Sequence, residues 1–536
     1  MVQSKAIRFD WLPAVMLSAA LAAAMLAWNP QVGDLAAQVF RTELFQRGGL
    51  AIWNGSWYGG HYTLTYSVLF PPLAALLGPQ AVGALAVIAS SYLFDRLVRD
   101  RWGAAARWAT LWFAAGVVTL LADGQLTFAL GVAFGLASLR AMQLRRAKTA
   151  ALAAALCALS SPVAAAFLAG VVVAGALERG RPLNRVAVWV AAISLGLVLI
   201  PNLAFPEPGH FPFSFSSFIA IPLWCGSALF VTRGLRAEER QLRWVIAAYL
   251  LASTVVWLAP NPMGGNAVRL GALFGGPVLA AVALSRRPRV SAWFLALFMA
   301  GGLYWQVTAS VSQIARSVGD PSTTSAYFQP LARWLREDGG PGIRVEVPPT
   351  ANHWESAYLS PGVELARGWL RQLDITREDI FYEEERLTDA AYSAWLRDNA
   401  IRYVALPDAP LDYSSVAERR LILRDPPYLT LRWRSPHWRV YAVKDPEPLV
   451  DPVGAAAART RWIGHQGFAL DVARPGRFLV RVSFTPYWSI SRGSGCLMRR
   501  GEWTLVSANR PGVFRVGADF SLGRAWNAVT GARKTC

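Results

Sequence analysis

The hydrophobic positions divide the chain near residue 309. Before that point apolar residues come in long runs, near 11–28, 75–94, 104–121, 125–139, 186–202, 217–232, 244–259, 270–285 and 291–308. Runs of about 16–20 residues predict helices able to cross a hydrocarbon core about 30 Å thick. The stretch 149–177 is too long for one comfortable span and is interrupted by Ser160-Ser161-Pro162, where proline cannot continue the helical ladder. It predicts two short helices meeting at that break, as a re-entrant hairpin buried in protein.

After Ser310 the pattern changes to short mixed segments. Residues 328–337 and 390–399 have helical spacing, the second with Tyr392, Trp395 and Leu396 as its apolar face. Segments 342–347, 401–406, 421–423, 429–433 and 438–443 read as strands. From about 450 only strands and turns are predicted, at 468–472, 478–484, 503–508 and 513–520, with Pro-Gly pairs at 475–476 and 511–512 as hairpin turns. The expected architecture is a polytopic α-helical membrane domain over 1–309, an α/β domain over 310–447 and a β-sandwich-like module over 448–536.

Composition agrees with a chain that is part membrane and part globular: 54% of residues are hydrophobic, yet the mean hydropathy is only +0.31. The net charge of +19 could suggest nucleic acid, but no recognition motif accompanies it. Much of the excess lies instead in short clusters between apolar runs: Arg96, Arg99 and Arg101; Arg140, Arg145, Arg146 and Lys148; Arg179, Arg181 and Arg185; Arg233, Arg236, Arg240 and Arg243; Arg286, Arg287 and Arg289. Such loops are cytoplasmic in membrane proteins. Because 140–148 and 179–185 should share one side, the chain crosses an even number of times between them. That predicts about eleven passes, with the N-terminus cytoplasmic and the C-terminal domains extracytoplasmic. Lys5 and Arg8 precede a first run with no clear cleavage site after it, so that run reads as an uncleaved span. Cys157 and Cys225 lie in apolar runs as packing residues, whereas Cys496 and Cys536 fall in the tail, where a disulfide can form outside the cytoplasm.

The external loops are then 29–66, 122–124, 203–216 and 260–269, and the candidate chemistry collects there. Gly33-Asp34-Leu35 places one carboxylate at the membrane surface, before an amphipathic segment with Ala36, Val39, Phe40 and Leu44 on one face and Arg41, Glu43 and Gln46 on the other. Asp34 reads as a helix N-cap, as a general base on an acceptor hydroxyl, or as both, since a cap fixes the side chain in space. Arg269 is a cation on the outer side, suited either to snorkelling among headgroups or to clamping a donor phosphate, with Asn261 and Asn266 adding hydrogen bonds. Trp53, Trp57, Tyr58 and Tyr62 fit an interfacial aromatic belt or a platform for sugar rings. His61 and His210 are candidate substrate contacts or acid–base groups; no histidine pair has metal-ligand spacing, so no metal or other cofactor is expected. Asp123-Gly124-Gln125 reads as a tight turn. No GxxxxGK[ST] loop is present, which argues against ATP-driven transport.

The order Gly33-Asp34-Leu35, the aromatic and glycine-rich 53–62 stretch, Phe70-Pro71-Pro72 and the Ser-Pro break resembles the hydrophobic half of GT-C glycosyltransferases. In the tail, Gly368-Trp369-Leu370-Arg371-Gln372-Leu373-Asp374, Phe381-Tyr382, and Trp395-Leu396 followed by 401–407 look like the external domain of large bacterial membrane proteins related to that superfamily, and to YfhO-like proteins. The resemblance implies an essential acidic residue in the first external loop, matched by Asp34. The loop carries one acidic residue where many members have a pair such as Asp-Asp, and a pair is what a divalent metal would use. The function implied is transfer of a sugar from a polyprenyl-phosphate donor to an envelope glycan, lipid or protein. A non-catalytic glycan-binding scaffold and a lipid-linked sugar flippase are the alternatives.

Overall fold

The computed structural model describes residues 10–176, 184–207, 209–233, 240–286, 290–338, 342–360 and 362–531. Lys5, Arg8, Arg179, Arg181, Arg236, Arg287, Arg289 and Cys536 lie outside the described residues. Among the described residues seven helices are long and apolar enough to cross a membrane: Pro79–Trp102, Ala104–Ala122, Leu126–Gln143, Arg185–Ala204, Arg240–Leu258, Gly264–Arg286 and Ala292–Ser317. The other apolar runs form the shorter helices Leu12–Trp28, Ala147–Ser160, Pro162–Ala176 and Phe215–Val231. This is consistent with a membrane protein. The Ser160–Pro162 break is real: one helix ends at Ser160, Ser161 is extended, and the next begins on Pro162, where proline's missing N–H costs nothing.

The chain forms two compact units. The first comprises residues 1–30, 67–199 and 210–315. Its helices approach closely where side chains are small; a Cβ on Gly131 would sit 2.7 Å from Ala164 and 2.9 Å from Ser161. Larger side chains fill other seams, as in the stack of Phe94 on Phe113 at 4.0 Å. Cys157 and Cys225 are buried, free packing residues.

The second unit comprises 31–66, 200–209 and 316–536. It opens with the helix Gly33–Gly48 and a small hairpin, β1 (Trp53–Asn54) with β2 (His61–Tyr62). A mixed five-stranded sheet follows, made of β3 (Arg344–Glu346), β4 (Glu364–Leu365), β5 (Ile401–Pro407), β6 (Leu429–Arg434) and β7 (Trp438–Val443), in the order β4-β3-β5-β7-β6. β3 runs parallel to both β4 and β5, and β7 is antiparallel to its neighbours. Helices Ser325–Asp338 and Asp389–Asp398 lie at the two predicted helical segments. The predicted strand at 421–423 is instead the end of the helix Val416–Ile422. A three-residue apolar run is as compatible with one buried helical turn as with a strand.

The C-terminal strands are β8 (Val450–Val453), β9 (Ala457–Gly464), β10 (Gly467–Arg474), β11 (Gly476–Ser483), β12 (Trp488–Arg492), β13 (Gly495–Arg500), β14 (Trp503–Ala508) and β15 (Gly512–Ala518). They form two four-stranded antiparallel sheets, β12-β15-β10-β9 and β13-β14-β11-β8. Phe468, Leu470, Phe478, Val480, Val506 and Phe514 fill the core with which these sheets are built. The unit boundary at 315–316 lies close to the expected one at 309, but the first loop does not belong with the helices that flank it in sequence. Trp53 and Tyr62 sit in the same core as Phe468 and Trp488, so burial ties residues 53–62 to the tail.

Candidate functional site

The first loop reaches its position through the carboxyl ends of the parallel strands. From β3 the chain passes to β4 on one side and then to β5 on the other, the arrangement at which open α/β sheets leave a crevice. In this protein the start of the Gly33–Gly48 helix fills that place. Trp354, after β3, donates its Nε1–H to the Gln31 carbonyl at 3.0 Å, and Trp369, after β4, donates to the Gly33 carbonyl at 3.0 Å. A Cβ on Gly33 would lie 3.6 Å from the Asn352 carbonyl oxygen. Two indoles and a backbone turn thus fix the residue before Asp34.

Asp34 is partly exposed and lies in the first turn of this helix, but Val32 holds the N-cap position, so the cap reading of Asp34 is corrected. A carboxylate there is favoured by the free N–H groups of the helix terminus. One and two turns further along the same side stand Gln38 and Arg41. Gln38 is buried and donates to the Tyr66 hydroxyl at 3.2 Å, while its Oε1 has no hydrogen-bond partner among the described residues. The Arg41 guanidinium lies 3.7 Å over the Tyr66 ring and is within electrostatic reach of Asp34. The expected polar face of Arg41, Glu43 and Gln46 therefore omitted Gln38 and Thr42, which are buried.

Behind this face the sheet edge carries a cluster of buried charges. Arg371 makes two hydrogen bonds to Asp412, at 2.9 and 2.7 Å, and donates to the Tyr382 hydroxyl at 3.0 Å. His353 stacks on Trp369 at 3.5 Å and approaches Asp412 at 3.3 Å and Glu355 at 3.5 Å. Burial alone would lower the His353 pKa; its bonds to Asp412 and Glu355 outweigh that and raise it. Arg367 pairs with Asp374 at 2.7 Å and lies 3.5 Å from Glu418. Burial pushes Glu418 and Glu378 up to about 7, against the pull of Arg367. Because these charges answer one another, the set holds Trp369 and hence the Gly33–Gly48 helix in place. Neither a family model nor a curated protein sequence matches the chain.

The loop aromatics are core residues. Trp57 is fully buried between Phe40, at 4.0 Å, and His61, at 5.5 Å, and donates to the Ser360 hydroxyl at 2.6 Å. Both faces of its ring are occupied, which corrects the expectation of a sugar platform. Trp53 packs edge-on against Tyr62 and Trp488, and the Tyr62 hydroxyl lies 2.9 Å from that of Thr485. Tyr58 adopts φ 57° and donates its hydroxyl to the Gly368 carbonyl at 2.6 Å. A Cβ on Gly60, at φ 124°, would fall 2.1 Å from the Trp53 ring. His61 is buried and pushed down to about 3 by desolvation and by Arg377 and Arg41, so it is neutral at pH 7.

The remaining candidates belong to the first unit. Arg269 is the second residue of the helix Val268–Arg286, where a cation opposes the helix dipole, and its guanidinium lies 5.3 Å from the Phe128 ring centre. Asn261 accepts from the Met263 and Gly264 N–H groups at 3.0 and 2.9 Å and donates to the Val256 carbonyl at 2.7 Å. Its amide is therefore a loop bracket, not a free phosphate ligand. Asn266 is buried in the following turn. His210 is partly exposed, beside Phe211, whose N–H donates to the Asn261 carbonyl at 3.0 Å. Gln38, Arg41, His353, Trp369, Arg371 and Asp412 were not singled out from sequence as site residues. Gln38 and Arg41 share the helix of Asp34, whereas the tail residues are tied to it only by pairings across more than 300 residues, such as Trp369 with Gly33.

Proposed function

We propose that this chain is an integral-membrane glycosyltransferase of GT-C type, moving a sugar from a polyprenyl-phosphate carrier to an envelope glycan, lipid or protein. Asp34 is the general base on the acceptor hydroxyl, and, as a separate reading, Arg269 is a cation for the donor phosphate. The observation that carries the reading is the seating of Asp34. It is a part-exposed carboxylate on a helix terminus that two tryptophans and a cluster of buried charges hold still. A base must be fixed to be effective, and such positioning accounts for much of what an enzyme supplies. Arg269 fits the clamp role because among the described residues no carboxylate pairs with it, and its guanidinium faces the Phe128 ring.

In this reading the chain crosses the membrane about eleven times, with the C-terminal domains outside. Purified protein in nanodiscs, offered a panel of short-chain polyprenyl-phosphate sugars and a hydroxyl acceptor, tests the proposal. Release of polyprenyl phosphate together with a glycosylated acceptor is expected; movement of the lipid without bond cleavage would make it a flippase. A second reading, a glycan-binding scaffold, draws on a cavity of about 140 Å³ lined in part by Phe40, Glu43, Ser56, Ser360, Glu364 and His465. Glycan binding without release of polyprenyl phosphate would favour it.

A further inference from the structure

The helix Leu522–Thr530 is well terminated yet turns an apolar edge outward. Ser521 caps it by accepting from the Arg524 N–H at 3.2 Å, and Gly531 closes it in the left-handed conformation. Ala525 and Ala528 pack on the core of the β-sandwich. Leu522, Trp526 and Val529, at helical spacings of four and three, are 81%, 68% and 52% exposed, and Phe520 just before them is 51% exposed. Leaving a tryptophan and a leucine in water forgoes the hydrophobic gain of burying them. The opposite side carries Gly523, Arg524 and Asn527, with Arg524 bonded to Asp519 at 2.9 Å.

The surroundings say what covers this edge. Phe520 lies 6.1 Å from Phe205 and is stacked on Tyr487 at 6.1 Å. The Tyr487 hydroxyl donates to the Ala204 carbonyl at 2.6 Å. Ala204 is the last residue of the helix Arg185–Ala204, one of the seven apolar spans, whose apolar window is only 22% buried in protein. The apolar helix ends at Ala204, and Phe520 stands one ring away from the residue that follows it. A nine-residue helix is only about 14 Å long, so its whole apolar edge stays near that level. Tryptophan at the water–lipid boundary and a cationic flank are what an interfacial helix presents. In sequence, Arg533 and Lys534 follow it and add to the basic charge.

We propose that Leu522–Thr530 is an interfacial helix that embeds Leu522, Trp526 and Val529 in the lipid surface where the 185–204 span emerges. Its occupant is the bilayer, and the proposal is independent of the catalytic reading. The test uses full-length protein, one copy per nanodisc, in phosphatidylcholine and phosphatidylglycerol doped with a phosphatidylcholine carrying a diazirine near its carbonyl. After irradiation, peptide mapping should find lipid adducts on Leu522, Trp526 and Val529, with Gly523 and Asn527 nearly unlabelled and the spans labelled as a positive control. Replacing Leu522 and Trp526 together by serine should lower the labelling of 520–530 about tenfold or more while leaving thermal unfolding unchanged, because both side chains are exposed. Labelled spans with no adducts in 520–530 would overturn the proposal. So would equal labelling on both sides of the helix, or, in vesicles with many copies, loss of the 520–530 lipid adducts while the spans stay labelled.

Discussion

Asp34→Asn separates a base from a helix-terminal charge. Asn is nearly the same shape and keeps an amide oxygen where the carboxylate oxygen stood, and Val32, not residue 34, holds the cap position. For stability, what changes is the charge itself. Its place in the first turn is worth about 0.3–1 kcal/mol, and its attraction to Arg41 adds a surface-type contribution of about 0.2–1 kcal/mol. Arg41 keeps its other partners, the Tyr66 ring at 3.7 Å and the Ala37 carbonyl at 3.4 Å. A total near 1 kcal/mol should lower the unfolding midpoint by about 2–4 °C. Loss of a general base costs about 10²–10⁴ in rate. The two effects therefore differ by far more than experimental scatter when turnover and thermal unfolding are measured on the same preparation. Transfer from polyprenyl-phosphate sugars should fall at least a hundredfold, about 2.7 kcal/mol in barrier, with the fold intact. Activity within about threefold of the parent would refute the role of Asp34 as base.

Arg269→Ala forfeits a cation–π contact with Phe128 worth about 0.5–1 kcal/mol; as a phosphate clamp it should also weaken donor use roughly ten- to a hundredfold, read as a rise in KM for the polyprenyl phosphate. Trp57→Ala should cost about 3–5 kcal/mol in stability, seen in chemical unfolding, whereas a surface sugar platform would lose glycan affinity with little destabilisation. Arg371→Ala leaves Asp412 buried with His353 and the Ser414 N–H and hydroxyl but without its guanidinium partner, and should destabilise by about 3–5 kcal/mol; hydrogen exchange over 350–371 reports it. For pH, Glu207, Glu378 and Glu418 have folded pKa values pushed up to about 7, and His353 is also raised. Groups with raised values bind protons more tightly when folded, so their contribution is complete below the unfolded pKa and is lost as pH rises through the folded one. The second unit should therefore unfold at a higher temperature at pH 5.5 than at pH 8, a trend that scanning calorimetry checks.

Much of the architecture was legible because long apolar runs and alternating segments carry their own signal. The helix break at Pro162, the strands Trp438–Val443 and Trp503–Ala508, and the helix Asp389–Asp398 all fall where periodicity put them. Strand β9 was missed because its residues are only partly buried on either face, which blurs the alternation. The C-terminal helix was missed because its apolar edge does not face the core; the 513–520 strand reading stopped just short of it. Asp34 and Arg269 could be singled out, since a lone charge beside an apolar run is conspicuous. The role of Trp53, Trp57 and Tyr62 was not legible, because an aromatic cluster in a loop has the same local sequence whether it meets lipid, sugar or a β-sheet formed hundreds of residues later. Asn261 shows the same limit: an amide that ends as a loop bracket looks, in sequence, like an available ligand.

The burial of the 53–62 hairpin in the tail's own core limits where this polypeptide can be divided. Cutting near residue 309 to express the helical half alone would strip the cover from Trp53, Trp57 and Tyr62, which are at most 7% exposed in the intact chain. The excised tail would be no better off, since it would lack the Trp53 side chain that packs on Trp488 and the Tyr62 hydroxyl that meets Thr485. Exchanging tails between related proteins meets the same obstacle, because residues 31–66 must travel with the tail they complete. Sequence order suggests a modular protein with a removable external portion; the packing makes that portion discontinuous, and inseparable from the loop that carries Asp34.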